Sequence, residues 1–149
     1  MIRVKTSHPV ATWEPYAQQR REAVIVCVTS QHTGRALIER GAQIAQSEGL
    51  DLQVLSVAPR GPLKLQDTLA LEELFHHAMQ LGATMSIYYS SHTWDTAHAF
   101  LKRHRVRHFV VGVPKPQGRF VQQLRQHFAH VPLHIVEAST PILPVSAAQ

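Results

Sequence analysis

Phe109-Val110-Val111-Gly112-Val113-Pro114-Lys115-Pro116-Gln117-Gly118-Arg119 is a short β-branched apolar run that stops at a glycine, followed by a Pro- and Gly-rich loop with two cations. An amphipathic stretch over residues 120–128 comes next, so the segment reads as strand, loop, helix. In an open α/β sheet such a junction is where free backbone N–H groups and a helix dipole favour an anion. The loop is neither a P-loop nor a GxGxxG motif. It therefore raises nucleotide or phosphate binding as a question and leaves it open.

The same alternation runs outward on both sides. Residues 23–28 are a continuous apolar run, as expected of a strand buried on both faces. A polar loop over 29–34 follows. Ala36, Leu37, Ile38, Ala42, Ile44 and Ala45 then give a helical face that Gly49 closes. Residues 52–57 read as a second strand and 59–62 as a loop. Asp67 or Thr68 caps a helix with apolar positions Leu71, Leu74, Phe75, Ala78 and Leu81, ended by Gly82. Residues 85–89 form a third strand. Thr93 caps a helix with Ala97, Phe100 and Leu101. Residues 107–111 are the fourth strand, 120–128 the fourth helix with Phe120, Val121, Leu124 and Phe128 on one face, and 133–136 the fifth strand. Strands alternating with helices imply a parallel sheet with right-handed crossovers, here a three-layer α/β/α sandwich. The expected organisation is an arm at 1–22, where Trp13 and Tyr16 can pin it to the body or a partner, one α/β domain at 23–137, and a tail at 138–149 in which Ile142-Leu143 can dock.

The bulk properties bound the function. A chain of 149 residues with 44% hydrophobic content can bury one real core. Residues 1–22 lack the apolar core of a signal peptide, and no apolar run nears the roughly 20 residues that cross a bilayer, so a cytoplasmic protein without direct membrane insertion is expected. The single cysteine, Cys27, sits inside the first apolar run and reads as a buried thiol in a reducing compartment. The formal charge is +5 with eleven histidines neutral, so mild acidification adds positive charge. The cations are spread along the chain. Their one cluster, 102–107, ends a helix, where cations offset the dipole, and no nucleic-acid partner is expected.

Five alternating units, a Ser/Thr loop after the first strand and a Gly-led loop after the fourth resemble the universal stress protein family. Within it, Val24-Ile25-Val26-Cys27-Val28-Thr29-Ser30 is similar to the branch found inside KdpD-type potassium sensor kinases. Ala42-Gln43-Ile44-Ala45, Leu71-Glu72-Glu73, Ala78 with Leu81-Gly82-Ala83, and Val110-Val111-Gly112 add to the likeness, which spans about residues 22–137. The resemblance implies a five-stranded parallel sheet in the order 3-2-1-4-5, of the adenine nucleotide alpha hydrolase-like type. It implies a switch point between the first and fourth strands, and homodimerisation through the last strand. It also implies a non-enzymatic regulatory or stress-response module, with an adenine nucleotide or a cyclic dinucleotide as candidate ligand, or a dimerising or protein-interaction domain without nucleotide binding.

The chain departs from the nucleotide-binding pattern of that family. After Gly112 the next glycine is Gly118, and Gln126-His127 stand where the family's later Gly-Ser pair is expected. Small residues let backbone approach a polyphosphate, so a small phosphate is expected to fit better than a triphosphate. The candidate ligand residues are Thr29, Ser30, Thr33 and Gly34 from one loop, and Gly112, Lys115, Gly118 and Arg119 from the other. Ser30 or Thr33 also suits a helix cap.

No catalytic or metal constellation is visible. There is no HExxH and no GxSxG. His76-His77 are adjacent on a helix and point apart. His104 and His108 straddle a helix–strand turn, with no carboxylate close in sequence. Trp94 reads as an anchor at a helix start, with base stacking as the alternative.

Overall fold

Runs rich in Val and Ile form strands here because both sheet faces are covered, so each strand can be apolar at every position. The computed structural model describes residues 11–12, 21–28, 31–58, 65–113 and 119–137. Along the chain these are β1 (Ala11–Thr12), β2 (Glu22–Val28), α1 (Gln31–Glu48), β3 (Asp51–Ala58), α2 (Leu65–Gln80), β4 (Thr84–Tyr89), α3 (Thr93–Leu101), β5 (Arg105–Gly112), α4 (Phe120–His127) and β6 (Leu133–Val136). The sheet order is β1-β4-β3-β2-β5-β6. All pairs are parallel except β1–β4, so the five later strands make the 3-2-1-4-5 arrangement expected from the sequence.

Alternation sorts the side chains into two cores. Val24, Val26, Val28, Val54, Met85 and Val110 lie under α1 and α2, with Leu37, Ile38, Leu74 and Ala78. Ala23, Ile25, Cys27, Leu55, Phe109 and Val111 lie under α3 and α4, with Ala97, Phe100, Leu101, Val121 and Leu124. This is the three-layer sandwich. α1 and α2 both end on a left-handed glycine, Gly49 at φ 67° and Gly82 at φ 77°. Leu50 N–H and Ala83 N–H then close back on the Ala45 and Ala78 carbonyls, each at 2.9 Å.

Several boundaries differ from the sequence reading. The arm contributes Ala11–Thr12 as a sixth, antiparallel strand beside β4. Trp13, Tyr16 and the tail from 138, with Ile142 and Leu143, lie outside the described residues, as does the 59–62 loop. α2 opens at Leu65, so Asp67 and Thr68 are first-turn residues rather than caps. Leu81 falls just past that helix and is 40% exposed. α3 is capped at His92 without a side-chain bond, and Thr93 is its first residue. The ordering group there is Ser90, whose Oγ accepts from His92 N–H at 3.0 Å and from Thr96 Oγ1 at 2.8 Å. β5 begins at Arg105, two residues early, because a bulge in its pairing with β2 leaves Arg107 as the extra residue: Ala23 faces Val106 and Val24 faces His108.

Cys27 is buried, and desolvation pushes its thiol up from 9.0 to about 12. That change alone lowers the thiolate population at neutral pH on the order of 10³-fold. An aromatic disulfide reagent is therefore expected to leave native Cys27 unmodified over hours and to react within minutes in denaturant. Rapid reaction of the native protein would place the thiol outside the core.

Candidate functional site

The chain turns outward at Val28 and Gly112, the carboxyl ends of the paired strands β2 and β5. One connection from this pair leads into α1 on one sheet face, the other into α4 on the opposite face. A crevice forms at such a switch point because the two crossovers diverge.

Thr33 lies in the first turn of α1, half-buried. A Cβ built on Gly112 would stand 3.7 Å from Thr33 Oγ1 and 3.8 Å from Leu37 Cδ1. Thr33 and Gly112, one from each of the two stretches singled out from the sequence, thus lie side by side. Gly34 has a different neighbourhood: its Cβ would come within 2.7 Å of Leu74 Cδ1 and 3.1 Å of Val28 Cγ1, so the missing side chain lets α1 pack against α2 and β2. Arg119 occupies the cap position of α4, exposed, with no side-chain cap bond. Thr29, Ser30, Lys115 and Gly118 lie outside the described residues. Neither α1 nor α4 has an acidic residue in its first turn, so no carboxylate offsets the positive dipole ends there.

Gln126 and His127 are not at this crevice. They belong to the last turn of α4, which opens at Phe120. At 1.5 Å per residue they stand about 10 Å from the helix start. The residues that open the helix are Arg119 and Phe120. Trp94 is an anchor: it stacks on His98 (5.2 Å, 12°) and meets Phe120 edge-on (5.7 Å) and His127 (5.2 Å), tying α3 to α4. The three arginines of the 102–107 cluster are engaged within the chain. Arg103 donates to the Tyr88 hydroxyl at 2.9 Å, and Arg105 and Arg107 approach Glu22 at 4.0 and 2.9 Å.

Histidines behave in two ways. His76 is exposed and its neighbour His77 buried, as helical geometry requires. His77 Nε2 lies 3.3 Å from Glu39 Oε2 but off the hydrogen-bond direction. The second case went unseen in the sequence. His108 Nε2 lies 3.0 and 3.1 Å from the two Glu48 oxygens, and His108 Nδ1 lies 3.0 Å from His134 Nε2. These groups come from the end of α1 and from within β5 and β6, up to 86 positions apart in sequence, so no local spacing could announce them. His108 lies two residues before Val110 and opposite Val24, so strand alternation places it on the α1 face, while the bulge at Arg107 puts Val106 on the other. The hydrogen bond from His108, above all, holds the Glu48 carboxyl below its ordinary range, while burial and then the neighbouring His108 and Arg40 hold His134 below the ordinary imidazole value. Among the described residues, no group of three or more His, Cys, Asp or Glu side chains converges as a metal site.

No helix among the described residues is long and apolar enough to cross a membrane. No protein-family profile matches the chain, and no curated protein sequence matches it. Solved structures do. A universal stress protein from Archaeoglobus fulgidus superposes with a TM-score of 0.55 at 16% identity, covering 78% of this chain and 93% of that one. The A. fulgidus protein in complex with dAMP gives 0.53 at 16% identity, over 76% and 96%. A universal stress protein in complex with cAMP gives 0.52 at 18% identity, over 80% and 99%. At such identities the likeness speaks for architecture: the chain has the fold of the universal stress proteins.

Proposed function

We propose that this chain is a non-enzymatic regulatory module of the universal stress protein type, acting in the cytoplasm, that binds a phosphate-bearing ligand in the β2/β5 crevice. The domain that acts is residues 23–137, with the arm and tail as appendages. The observation that carries the reading is the meeting of Thr33 and Gly112 at the switch point, where a side chain on Gly112 would fill the space beside the hydroxyl. The helices that follow the two strands have no acidic residue in their first turns, and in this reading Lys115 and Arg119 supply opposite charge. Neighbours of the same fold carry dAMP and cAMP, which makes an adenine nucleotide the first ligand to try and a cyclic dinucleotide the second. The kinship with the domain of KdpD-type sensor kinases belongs to this proposal and rests on residues 24–30.

The test is a thermal-shift and calorimetric comparison of phosphate, AMP, cyclic AMP, ATP and a cyclic dinucleotide. A ligand at 100 times its Kd stabilises by about 2.7 kcal/mol. Charge-assisted contacts contribute roughly 1.5–3 kcal/mol each, so Lys115→Ala with Arg119→Ala is expected to weaken binding of the best ligand at least about tenfold. Unchanged affinity in that double variant moves the site elsewhere, and no stabilisation by any of the five removes the reading.

A second reading is a dimerising or protein-interaction domain. β6 supports it: among the described residues it pairs only with β5, and its Ile135 is 43% exposed. An open edge of this kind is a template for another strand. Light scattering that reports a homodimer in the absence of ligand favours this second reading.

A further inference from the structure

We propose that Glu48, His108 and His134 form a proton-operated latch that holds the edge strand β6 against β5 and releases it on mild acidification. The inference is independent of any ligand in the crevice.

The argument starts from donors and acceptors. A carboxylate only accepts, so His108 Nε2 carries the proton that faces Glu48. In the neutral pair, His108 Nδ1 then accepts from His134 Nε2–H across 3.0 Å. A first added proton is accommodated. On His108 it reverses the bond, with Nδ1–H donating to a His134 whose own proton has moved to its other nitrogen. On His134 it leaves the bond as it was. A second proton has no such place. Both facing nitrogens would carry hydrogens, and two cationic rings with centroids 5.1 Å apart would repel.

The charged surroundings sharpen this. Glu48 and Arg40 reach the pair from α1, and Arg107 on β5 approaches Glu48 at 3.8 Å. Glu22 on β2 holds Arg107, at 2.9 Å. One carboxylate therefore faces the pair directly, and the Arg40 guanidinium opposes charge on His134. Burial already disfavours charge on His134. A base held below its unfolded value contributes its full share above that value and loses it as pH falls through the interval beneath. The strand it secures is short. β6 has four residues, none fully buried, and among the described residues pairs on one side only. Loss of the imidazole bond thus acts on a short edge strand.

The experiment is amide hydrogen exchange with histidine NMR titration on the full chain. In the wild type, the His134 ring is expected to take up its proton below the ordinary imidazole range, over the interval in which β6 loses protection. Protection of the β6 amides, corrected for intrinsic exchange, is expected to fall about tenfold or more between about pH 7.5 and pH 5, with β2 and β3 unchanged. Two surface substitutions must move the midpoint in opposite directions. Arg40→Ala removes a repelling cation and raises it. Glu48→Gln removes the attracting carboxylate and lowers it. His134→Gln abolishes the pH dependence. Flat β6 protection in the wild type, a His134 titration outside the interval in which β6 loses protection, or a midpoint that both surface variants leave in place overturns the latch.

Discussion

Replacing Phe109 by alanine is expected to lower the unfolding free energy by about 3–5 kcal/mol. The ring is 1% exposed and sits in the core under α3 and α4. It meets Phe128 edge-on at 5.4 Å and 73°. Its backbone N–H is bonded to the Pro132 carbonyl at 2.9 Å, and its register partner is Leu133. Phe109 therefore joins β5 to the turn that leads into β6, and truncation leaves a void that a central strand cannot move to fill. Native domains have only about 5–15 kcal/mol in total, so the variant keeps a reduced margin. Urea unfolding measures it, as a lower midpoint with an unchanged slope. A loss under about 1 kcal/mol would mean that the ring is not packed as described.

The second large effect is expected at Gly41, where α1 crosses β2 and β3 most closely. A Cβ there would stand 2.4 Å from Val26 Cγ2 and 3.0 Å from Leu52 Cδ1. Val26 is fully buried in the central strand, and a β-branched side chain has one rotatable bond with which to yield. Gly41→Ala brings a helix-propensity gain of about 1 kcal/mol against an overpacking cost of about 1–3 kcal/mol, so a modest net loss results. Gly41→Val drives two more carbons into the same contact and lacks most of that gain, so a loss of at least about 3 kcal/mol is expected. Full stability in Gly41→Val, read from its denaturation midpoint, contradicts the close crossing.

The sequence alone determined the order and type of the elements. Residues 23–28 and 109–111 could only be buried strands, because their apolar runs are too short for helices and unbroken by polar alternation. Gly49 and Gly82 marked helix ends because a left-handed residue is a local requirement. Strand order also followed, through a resemblance that rests on the sequence of units rather than on any one motif. What the sequence left open depends on partners distant in the chain. The two-residue strand β1 exists only because the edge of β4 is there to pair with it. The bulge at Arg107 comes from fitting β5 against β2, with Glu22 and Glu48 close enough to hold the guanidinium. Register also sets His108 beside Glu48 and His134, a hydrogen-bonded chain from three elements. In the crevice, the sequence singled out Thr33 and Gly112 from loop chemistry, but only packing brought the hydroxyl beside the glycine and gave Gly34 to the α1–α2 contact. Local propensities act over a few residues and can be read from them; side-chain convergence is set by how helices cross and strands register, which no single stretch of chain encodes.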